Sequence, residues 1–453
     1  MSCDGNNATP PGPAIAPGAE MLDVRRIAES LGERGVDPRL RELVPEFDAP
    51  FYQAGLCGYS DAAMRIIARR NGCPFCVTEA LLDRSILAGG RGFAKADLGE
   101  LHDNVPGGTE DHPLSGQIMG SEPTEMAAAA LKMAEQRLRS DKAYRLLAYA
   151  EQGRFDPRAG GNGHAVASGG GERNATPGSK ERRGGMWGGQ ASWEASSRSQ
   201  GSVPSMPRSF QTIDVNLACP VKKIQARARG GHWLAEPEGA IAILEAVREA
   251  VPREMLTTVK MRRSFDDTPE MAENFERIFD AAYSMGYAWV TVHGRTVQQR
   301  YIGPSRWDIV RDIVRRHPNR LIFGSGDIWE AGDIFRMVAY TGVHAVSVAR
   351  GCIGNPWIFR QARDLMAGKP ARPPTIAEQR HVLMEHFELA LAVNAGARQP
   401  QEFTGRTMRK FGIRFAEHHP SGEHVRKRMI LVKGIEDWRR VVEEFYGDDR
   451  VSG

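Results

Sequence analysis

The sequence predicts an α/β protein in which a closed (β/α)8 barrel, the TIM barrel architecture, is followed by a small all-helical C-terminal domain. Its 453 residues, of which 41% are hydrophobic, suffice for one large domain and a smaller one. Short apolar segments alternate with helical patterns over residues 45–370, which is typical of βα repeats and a parallel sheet. Only helical patterns follow over residues 375–447, so we expect a separate helical domain there.

Eight strand candidates indicate that the sheet closes into a barrel. They are APFYQA (49–54), FCVTEA (75–80), LSGQIM (114–119), TIDVN (212–216), LTTVKM (256–261), AWVTVHG (288–294), RLIFGSG (320–326) and HAVSVAR (344–350). The intervening segments have helical periodicity: Ile243, Val247 and Val251 recur at helical spacing beside Leu244. A doubly wound open sheet is the alternative, but eight repeats favour closure.

Two stretches are expected to lack regular structure. Residues 1–20 are rich in Pro, Gly and Ala without periodicity, which predicts a loose tail. Residues 153–209 are rich in Gly, Ser and Arg and cannot bury enough apolar surface to offset the entropy of ordering. We therefore interpret them as a disordered surface insertion that interrupts the barrel.

Composition and charge narrow the class of protein. A formal charge of +4 is small for this length, so the total charge alone does not indicate a nucleic-acid-binding protein. The N-terminal residues lack the features of a secretory signal, and no apolar run approaches the ~20 residues that span a bilayer. The cysteines are few and scattered, which predicts a reducing compartment without a disulfide framework: Cys3, Cys57, Cys73, Cys76, Cys219 and Cys352. We expect a soluble, cytoplasmic protein that does not bind a membrane.

Potentially reactive residues follow several of the predicted strands. In a (β/α)8 barrel the active site forms at the C-terminal ends of the strands, so these residues should share one rim. They are Asn216 and Cys219 after the fourth strand, Lys260 and Arg262 at the fifth, His293 at the sixth, GSGD (324–327) after the seventh and ARG (349–351) after the eighth. Any one of them could be structural, but five positions in register predict a functional site.

The last two segments predict a phosphate site. The loops after strands seven and eight commonly bind phosphate in such barrels. Gly324, Ser325 and Gly326 would let main-chain N–H groups approach an anion, and Arg350 could add a positive charge. Glycines required only by a tight turn are the alternative. Together with Lys260, a bound phosphate suits a flavin nucleotide, because the lysine could place positive charge beside an electron-rich reduced ring.

The cysteines differ in what they predict. CPFC (73–76) has the spacing of a redox or half-zinc motif, but it leads into a strand and has no second Cys/His pair, so we interpret it as structural and expect no metal. Cys57 and Cys352 are expected to be core or loop residues. Cys219 lies on the rim without a His or Asp nearby in sequence. Because an ordinary thiol stays mostly protonated below a pKa of ~8.5, the role of proton donor suits it better than that of nucleophile.

The motifs taken together resemble those of the tRNA-dihydrouridine synthases, most closely the bacterial B-type members. They are VTEA (77–80), GQIMGSEPTEMA (116–127), DVNLACPVKKI (214–224), VKMR (259–262), TVHGRT (291–296), GSGDI (324–328) and GNPWIF (354–359). The similarity covers about residues 45–150 and 210–445, and the insertion separates the two parts. The order and spacing of the motifs make the resemblance specific.

The resemblance implies an activity and the residues that perform it. NADPH would reduce a bound FMN, hydride would pass from the flavin to C6 of a uridine extruded from tRNA, and Cys219 would protonate C5. Asn216 would lie under the flavin and the uracil, and Lys223 and Arg262 would contact the RNA. The implied flavin contacts are Gln53, Ala54, Gln117, Asn216, Lys260, His293, Ser325, Gly326, Asp327, Ala349 and Arg350.

Two departures from the family pattern bear on these contacts. The family's first-strand Pro-Met-Ala-Gly is here Tyr52-Gln53-Ala54-Gly55, followed by two extra residues, so Gln53 and Ala54 would act through their main chain. The family's eighth-strand Gly-Arg is here Ala349-Arg350, which adds a methyl group near the expected phosphate. Neither departure removes a charge or the proton donor.

Basic residues in the helical tail predict the partner. They outnumber acids between residues 406 and 433: Arg406, Arg409, Lys410, Arg414, Arg426, Lys427, Arg428 and Lys433. Such a cluster can be a solvated helix face, but its place after a flavin barrel resembles the family's RNA-binding domain. We expect Arg409, Lys410 and Arg414 to contact tRNA and the protein to be a monomer. A small-molecule flavin oxidoreductase of the dihydroorotate or 2-hydroxy-acid type and a catalytically silent RNA-binding barrel are the alternatives.

Overall fold

A computed structural model describes most of the chain. The described residues are 18–88, 109–136, 143, 146–148, 209–220 and 230–447. The expected tail up to residue 17 and the expected insertion up to residue 208 lie outside these ranges, as does Lys223.

In the described ranges nine parallel strands form one sheet, and eight of them close into a barrel. The strands are β1 (Phe51–Gln53), β2 (Cys76–Val77), β3 (Leu81–Leu82), β4 (Leu114–Met119), β5 (Thr212–Leu217), β6 (Leu256–Arg262), β7 (Trp289–His293), β8 (Ile322–Ser325) and β9 (Ala345–Val348). Each of β4 to β9 pairs with the next, β9 pairs with β1, β1 with β2, and β2 with β4. The predicted (β/α)8 barrel and its eight strands are thus confirmed, whereas the two-residue strand β3, which pairs only with the end of β4, was not predicted.

The helices surround the barrel and continue beyond it. They are α1 (Val24–Arg34), α2 (Pro38–Leu43), α3 (Ala62–Arg70), α4 (Asp83–Ala88), α5 (Pro123–Ala134), α6 (Pro237–Ala250), α7 (Pro269–Ser284), α8 (Trp307–Arg316), α9 (Ala331–Thr341), α10 (Trp357–Met366), α11 (Ile376–Val393), α12 (Pro400–Phe415), α13 (Gly422–Met429) and α14 (Ile435–Tyr446). Within the described ranges, none of them is long and apolar enough to cross a bilayer.

Local sequence signals explain where the helices begin and which face they bury. Helix α11 starts with a capping box, in which the side chains of Thr375 and Glu378 each accept a main-chain N–H bond from the other residue. In α6, Ile243, Leu244 and Val247 are fully buried against the sheet, as their spacing predicts. The burial of this apolar stripe therefore stabilises α6 more than the helix propensities of its exposed residues do.

Aromatic side chains fill the N-terminal half of the barrel interior. Tyr52, Trp289 and Phe323 point inward from β1, β7 and β8, Phe75 from the residue before β2, and Phe47 from the segment before β1. The Trp289 and Phe323 rings stack with centroids 5.0 Å apart, and those of Phe47 and Phe75 are 5.2 Å apart. This packing closes the bottom of the barrel, so a ligand can enter only from the C-terminal ends of the strands.

The C-terminal helices pack directly on the barrel. The ring of Phe411 in α12 meets Tyr59 in the loop after β1, with centroids 5.6 Å apart and nearly perpendicular planes. Gly354, with a φ of +67°, permits a close approach of α12, because a Cβ there would lie 2.5 Å from the Cβ of Arg414. The tail is therefore joined to the loops at the C-terminal rim of the barrel.

A buried ion pair fixes the loop that follows β1. The Arg65 guanidinium in α3 donates to both oxygens of Asp111 at 2.5–3.1 Å and to the carbonyl of Ser60 at 2.9 Å. Both charged side chains are fully buried. Removing one partner would leave the other charge buried without compensation.

We predict that Asp111→Ala lowers the free energy of unfolding by about 3–5 kcal/mol, because it strands the Arg65 charge in the core. Urea unfolding followed by tryptophan fluorescence measures the change. Glu423→Ala is the matched control, since the pair of Glu423 with Lys427 is exposed to solvent and should contribute little to stability. A similar small loss for both variants would contradict the importance of the buried pair.

Candidate active site

One large cavity opens at the C-terminal ends of the strands. It encloses about 1140 Å³, including its open mouth, which is ample for a nucleotide-sized ligand. All eight barrel strands, or the loops that follow them, contribute to its wall. The lining residues are Ala54, Gly55, Leu56, Cys57, Ala80, Gln117, Met119, Asn216, Ala218, Cys219, Lys260, Arg262, His293, Tyr301, Ser325, Gly326, Asp327, Ile328, Trp329, Ser347, Ala349 and Arg350.

A chain of hydrogen bonds crosses the barrel interior beneath the cavity. The hydroxyl of Thr258 donates to Asp214 at 2.6 Å, and the amide nitrogen of Gln117 donates to the other oxygen of Asp214 at 2.7 Å. The amide nitrogen of Asn216 donates in turn to Oε1 of Gln117 at 2.7 Å. All four side chains are buried, so the chain satisfies polar groups that water cannot reach.

This chain ends at the main chain that carries Cys219. The N–H groups of Ala218 and Cys219 donate to Oδ1 of Asn216 at 2.9 and 3.1 Å, which forms a turn at the end of β5. The carbonyl of Cys219 accepts the N–H of Gly231 at 2.9 Å. The position of the thiol-bearing residue is therefore held from both sides while its side chain remains partly exposed to the cavity.

Lys260 lies in the cavity wall with its Nζ 3.2 Å from Oγ of Ser325. Burial lowers the pKa of Lys260 from 10.5 to about 8; the negative charge of Asp214 opposes this shift, and the positive charge of Arg262 adds to it. Burial likewise raises the pKa of Asp214, while its hydrogen bonds from Thr258 and Gln117 lower it. Below pH 8 the cavity thus contains an ammonium group that is poorly solvated and available to an anionic ligand.

His293 is a neutral hydrogen-bond donor beside Lys260. Burial lowers its pKa well below 6.5, and the nearby charges of Arg262 and Lys260 lower it further. The N–H of Arg295 donates to Nδ1 of His293 at 3.1 Å, so Nδ1 carries no proton in the neutral ring. The proton is consequently on Nε2, and the imidazole can donate it to a ligand without adding positive charge.

Asp327 joins the loops that follow β7, β8 and β9. Its carboxylate accepts two bonds from the buried Arg295 guanidinium at 2.7 and 2.8 Å, and one from the N–H of Ser305 at 2.8 Å. Arg350 approaches it at 3.4 Å. Because these contacts use its oxygens, the carboxylate of Asp327 acts chiefly by positioning the rim, whereas the neighbouring Ser325 and Gly326 are left to face a ligand.

Arg262 supports the rim from below. Its guanidinium donates to the carbonyls of Ala218, Thr296 and Arg300, each at 2.8 Å, and it is only 3% exposed. Burial lowers the pKa of Arg262 to about 10. Although the sequence predicted Arg262 as an RNA contact, the structure uses its side chain to tie the loop after β5 to the loop after β7.

Two aromatic side chains of the cavity were not predicted. The ring of Tyr301 lies near two guanidinium groups, 5.6 Å from Arg262 and 5.0 Å from Arg350, and Arg350 also lies 4.6 Å from the ring of Trp329. Both rings come from loops without periodicity, so nothing in the sequence places them at the cavity. Cys57, expected in the core or a loop, is an exposed loop residue whose side chain lines the same cavity.

The structure brings most of the predicted site residues together. Those that line the cavity are Ala54, Gln117, Asn216, Cys219, Lys260, Arg262, His293, Ser325, Gly326, Asp327, Ala349 and Arg350. Gln53 does not line it: successive side chains of a strand point to opposite faces, and its Oε1 lies 3.8 Å from the thiol of Cys76 outside the barrel. The side chain of Gln53 thus points away from the cavity, and the predicted contact through its main chain stays a prediction.

The two cysteines of CPFC, Cys73 and Cys76, are buried next to Gln53. The sulfur atoms of Cys73 and Cys76 lie 3.9 Å apart, and both residues are almost fully buried. In the part of the chain that the structure describes, neither belongs to a cluster of metal-ligating side chains. The pair packs in the core between α3 and the barrel, consistent with the predicted structural role.

Three basic residues of α12 that were predicted to bind RNA, Arg409, Lys410 and Arg414, are half-buried. Nε of Arg409 donates to the carbonyl of Val432 at 2.6 Å. Lys410 donates to the carbonyl of Gly58, and its Nζ lies 4.8 Å from the ring of Tyr59. These two side chains thus contribute to the packing of the tail.

Arg414 lies near a residue of the cavity wall, Arg350. It pairs with Glu417 at 3.0 Å. Burial lowers the pKa of Arg350, and the charge of Arg414 is among those that lower it further. Arg414 is therefore near enough to the cavity mouth for its charge to act on Arg350.

The fold and this cavity define a class of protein: a parallel barrel whose C-terminal rim carries a thiol, a perturbed lysine and a neutral histidine. A family model described as dihydrouridine synthase (Dus) matches residues 205–407. A probable tRNA-dihydrouridine synthase of Rickettsia typhi is 30% identical over 240 residues, which are 52% of this chain and 68% of the relative. This chain belongs to the tRNA-dihydrouridine synthase family.

Other relatives match shorter parts of their own length. A probable tRNA-dihydrouridine synthase of Mycobacterium tuberculosis (strain CDC 1551 / Oshkosh) is 32% identical over 228 residues, which are 50% of this chain and 56% of the relative. The tRNA-dihydrouridine synthase B of Shewanella oneidensis is 35% identical over 176 residues, 39% of this chain and 53% of that protein. The aligned part of the chain thus spans little more than half the length of these relatives.

We predict that the side chain of Lys260 titrates near pH 8, well below the ~10.4 of an exposed lysine, because burial disfavours its charged form. Reductive methylation with ¹³C-formaldehyde followed by NMR across pH measures the value, and Lys260→Arg identifies the resonance. Asp214→Asn should lower the pKa of Lys260 further, since it removes a negative charge that stabilises the ammonium. Titration together with the exposed lysines would contradict the predicted burial.

Proposed function

We propose that this protein reduces a uridine of tRNA to 5,6-dihydrouridine, with FMN as its bound cofactor and NADPH as the hydride donor. The observation that carries the proposal is the arrangement of Cys219, Lys260 and His293 around one cavity in a chain of this family. His293 is neutral and Lys260 would serve as a positive charge that holds an anionic ligand, which leaves the thiol of Cys219 as the proposed proton donor.

The residues of the cavity fit a flavin mononucleotide. The cavity offers an ammonium group from Lys260, an Nε2–H from His293 and an amide from Gln117, which suit the carbonyl and nitrogen acceptors of the ring. A Cβ at Gly326, which has a φ of +118°, would lie 2.3 Å from Oγ of Ser305, so only glycine leaves the main chain after β8 open to a phosphate. Arg350 adds a positive charge on the neighbouring loop.

A bound FMN would supply the redox chemistry, taking hydride from NADPH and delivering it to C6 of the uracil. Lys260 and His293 would hold the ring, Ser325, Gly326 and Arg350 the phosphate. Asn216, which is held by Gln117 and by the turn at Cys219, would orient the base. Ala54 would contact the flavin through its main chain, and the methyl group of Ala349 would lie near the phosphate, because neither residue offers a polar side chain.

Cys219 would donate its proton to C5 of the uracil. The turn built on Asn216 fixes the main chain of Cys219, so the thiol has a defined direction into the cavity. The proton transfer leaves a thiolate, and Arg262 lies near enough that a negative charge on Cys219 raises the pKa of the guanidinium. By reciprocity, Arg262 stabilises the thiolate, which favours proton donation.

The helical tail would bind the tRNA around the cavity. Arg414 and Arg350 place positive charge at the mouth, and exposed basic side chains continue across the tail: Arg406, Arg426, Lys427, Arg428 and Lys433. Such a surface can contact several phosphates without selecting a sequence. Lys410 would assist mainly by holding the tail on the loop after β1, and Arg409 by packing within the tail. Lys223 remains a proposed RNA contact.

We predict that Cys219→Ala lowers dihydrouridine formation by at least ~10²-fold while the flavin remains bound, because it removes the proton donor. Nucleoside mass analysis of tRNA after incubation with enzyme and NADPH measures the product, and visible absorbance measures the flavin. Cys57→Ser is the matched control, a second cavity thiol without a role in the proposed chemistry, and should keep most of the turnover. Turnover by Cys219→Ala at the rate of the unaltered enzyme would exclude Cys219 as the acid.

We predict that Arg426→Glu combined with Lys433→Glu weakens tRNA binding and reduces the slope of log K against log salt by about 2, because two phosphate contacts are lost. Filter binding at several salt concentrations measures both quantities. Arg253→Glu, on the loop before β6 at the opposite end of the barrel, should change neither. If Arg253→Glu weakened tRNA binding as much as the double substitution does, the effect would be a non-specific response to charge. If the enzyme reduced free uridine as fast as it reduces uridine in tRNA, a small-molecule substrate would be favoured.

A further inference from the structure

The loop after β7 presents an exposed apolar side chain at the mouth of the cavity. Ile302 is 78% exposed, and the preceding residue, Tyr301, lines the cavity and is 40% exposed. The two residues lie at the tip of a tight turn between Arg300, with a φ of +50°, and Gly303, with a φ of +68°. The N–H of Ile302 donates to the carbonyl of Gln299 at 2.8 Å, which closes the turn.

Two buried arginines hold this turn on the barrel. Arg262 donates to the carbonyl of Arg300 on one side, and Arg295 donates to the carbonyl of Gly303 on the other at 2.6 and 2.8 Å. Arg295 is itself fixed by its two bonds to Asp327. Because each guanidinium is buried and multiply bonded, moving the turn would break charge-assisted bonds in the interior. Ile302 is thus an apolar side chain held in a fixed position in solvent.

The substrate proposed above creates a place for such a side chain. A uridine that enters the cavity must leave its stack, which costs a few kcal/mol and opens an apolar gap between its former neighbours. Proteins that separate stacked bases commonly insert an apolar side chain into such a gap. Ile302 follows directly on the cavity wall at Tyr301, so it would meet the RNA next to the extruded nucleotide.

We propose that Ile302 is a positioning residue that fills the gap left in the tRNA stack by the target uridine and so favours the extruded state. The proposal rests on the proposed function, because it requires an RNA substrate. It does not involve the cofactor or the proton donor. A polar side chain at position 302 would lose its hydration on entering the gap, and a small side chain would leave the gap unfilled.

The test uses the full-length, flavin-loaded enzyme, with each rate divided by the flavin content. The modified position is first mapped by nucleoside mass analysis. The single-turnover rate of dihydrouridine formation at saturating tRNA is then measured for Ile302→Ala, Ile302→Leu and the control Met21→Ala, an exposed residue in the segment before α1. A second tRNA carries an abasic site next to the target uridine, so that less stacking is lost when the uridine leaves.

We expect Ile302→Ala to reduce the rate about tenfold, as partial burial of its apolar surface in the gap implies, while Ile302→Leu and Met21→Ala stay within about twofold. On the abasic tRNA the ratio of the rate of the unaltered enzyme to that of Ile302→Ala should fall towards one. The proposal is overturned if Ile302→Ala equals the unaltered enzyme, or if its deficit persists unchanged on the abasic tRNA. Absence of dihydrouridine with the unaltered enzyme would instead refute the proposed function.

Discussion

The directional hydrogen-bond chain beneath the cavity is the constraint on which the site depends. A main-chain N–H can only donate, so Oδ1 of Asn216 must face the turn at Cys219. Its amide nitrogen then faces Oε1 of Gln117, and the amide nitrogen of Gln117 faces Asp214. The orientation of each amide group is thus fixed by the hydrogen bond before it in the chain. The carboxylate of Asp214 is the last acceptor. Its charge also stabilises the ammonium of Lys260, which links the placement of the thiol to the charge of the cavity.

Buried arginines organise the other side of the rim. Arg262 and Arg295 have almost no exposed surface, and each donates to main-chain carbonyls of the loop after β7. Burial keeps His293 neutral by lowering its pKa, and the charges of Arg262 and Arg295 lower that pKa further. The same groups therefore shape the loop and set the protonation state of the imidazole. The same arginines can have both effects because the parallel strands of a barrel all end at one rim.

The sequence predicted the site more completely than the surface around it. Lys260 and His293 end apolar strands of regular period, and strand ends of a parallel barrel must converge, so their meeting could be inferred from pattern alone. Gln53 shows the limit of this inference, because the pleat turns its side chain away from the cavity although the residue stands at the right strand end. Tyr301 and Trp329 lie in loops, where spacing carries no information about direction.

The sequence by itself determined the eightfold repeat, the helical tail and the chemical groups that face the cavity, because hydrophobic periodicity and strand-end position are local properties of the chain. Only the tertiary structure decided how those groups are used. Arg262 became a support for two loops because folding buried it among carbonyl groups that need donors. Lys410 became a packing residue because the tail docked on the loop after β1, and Arg409 because α12 packs on the turn at Val432 within the tail. Such outcomes depend on contacts between distant segments, which no local pattern encodes.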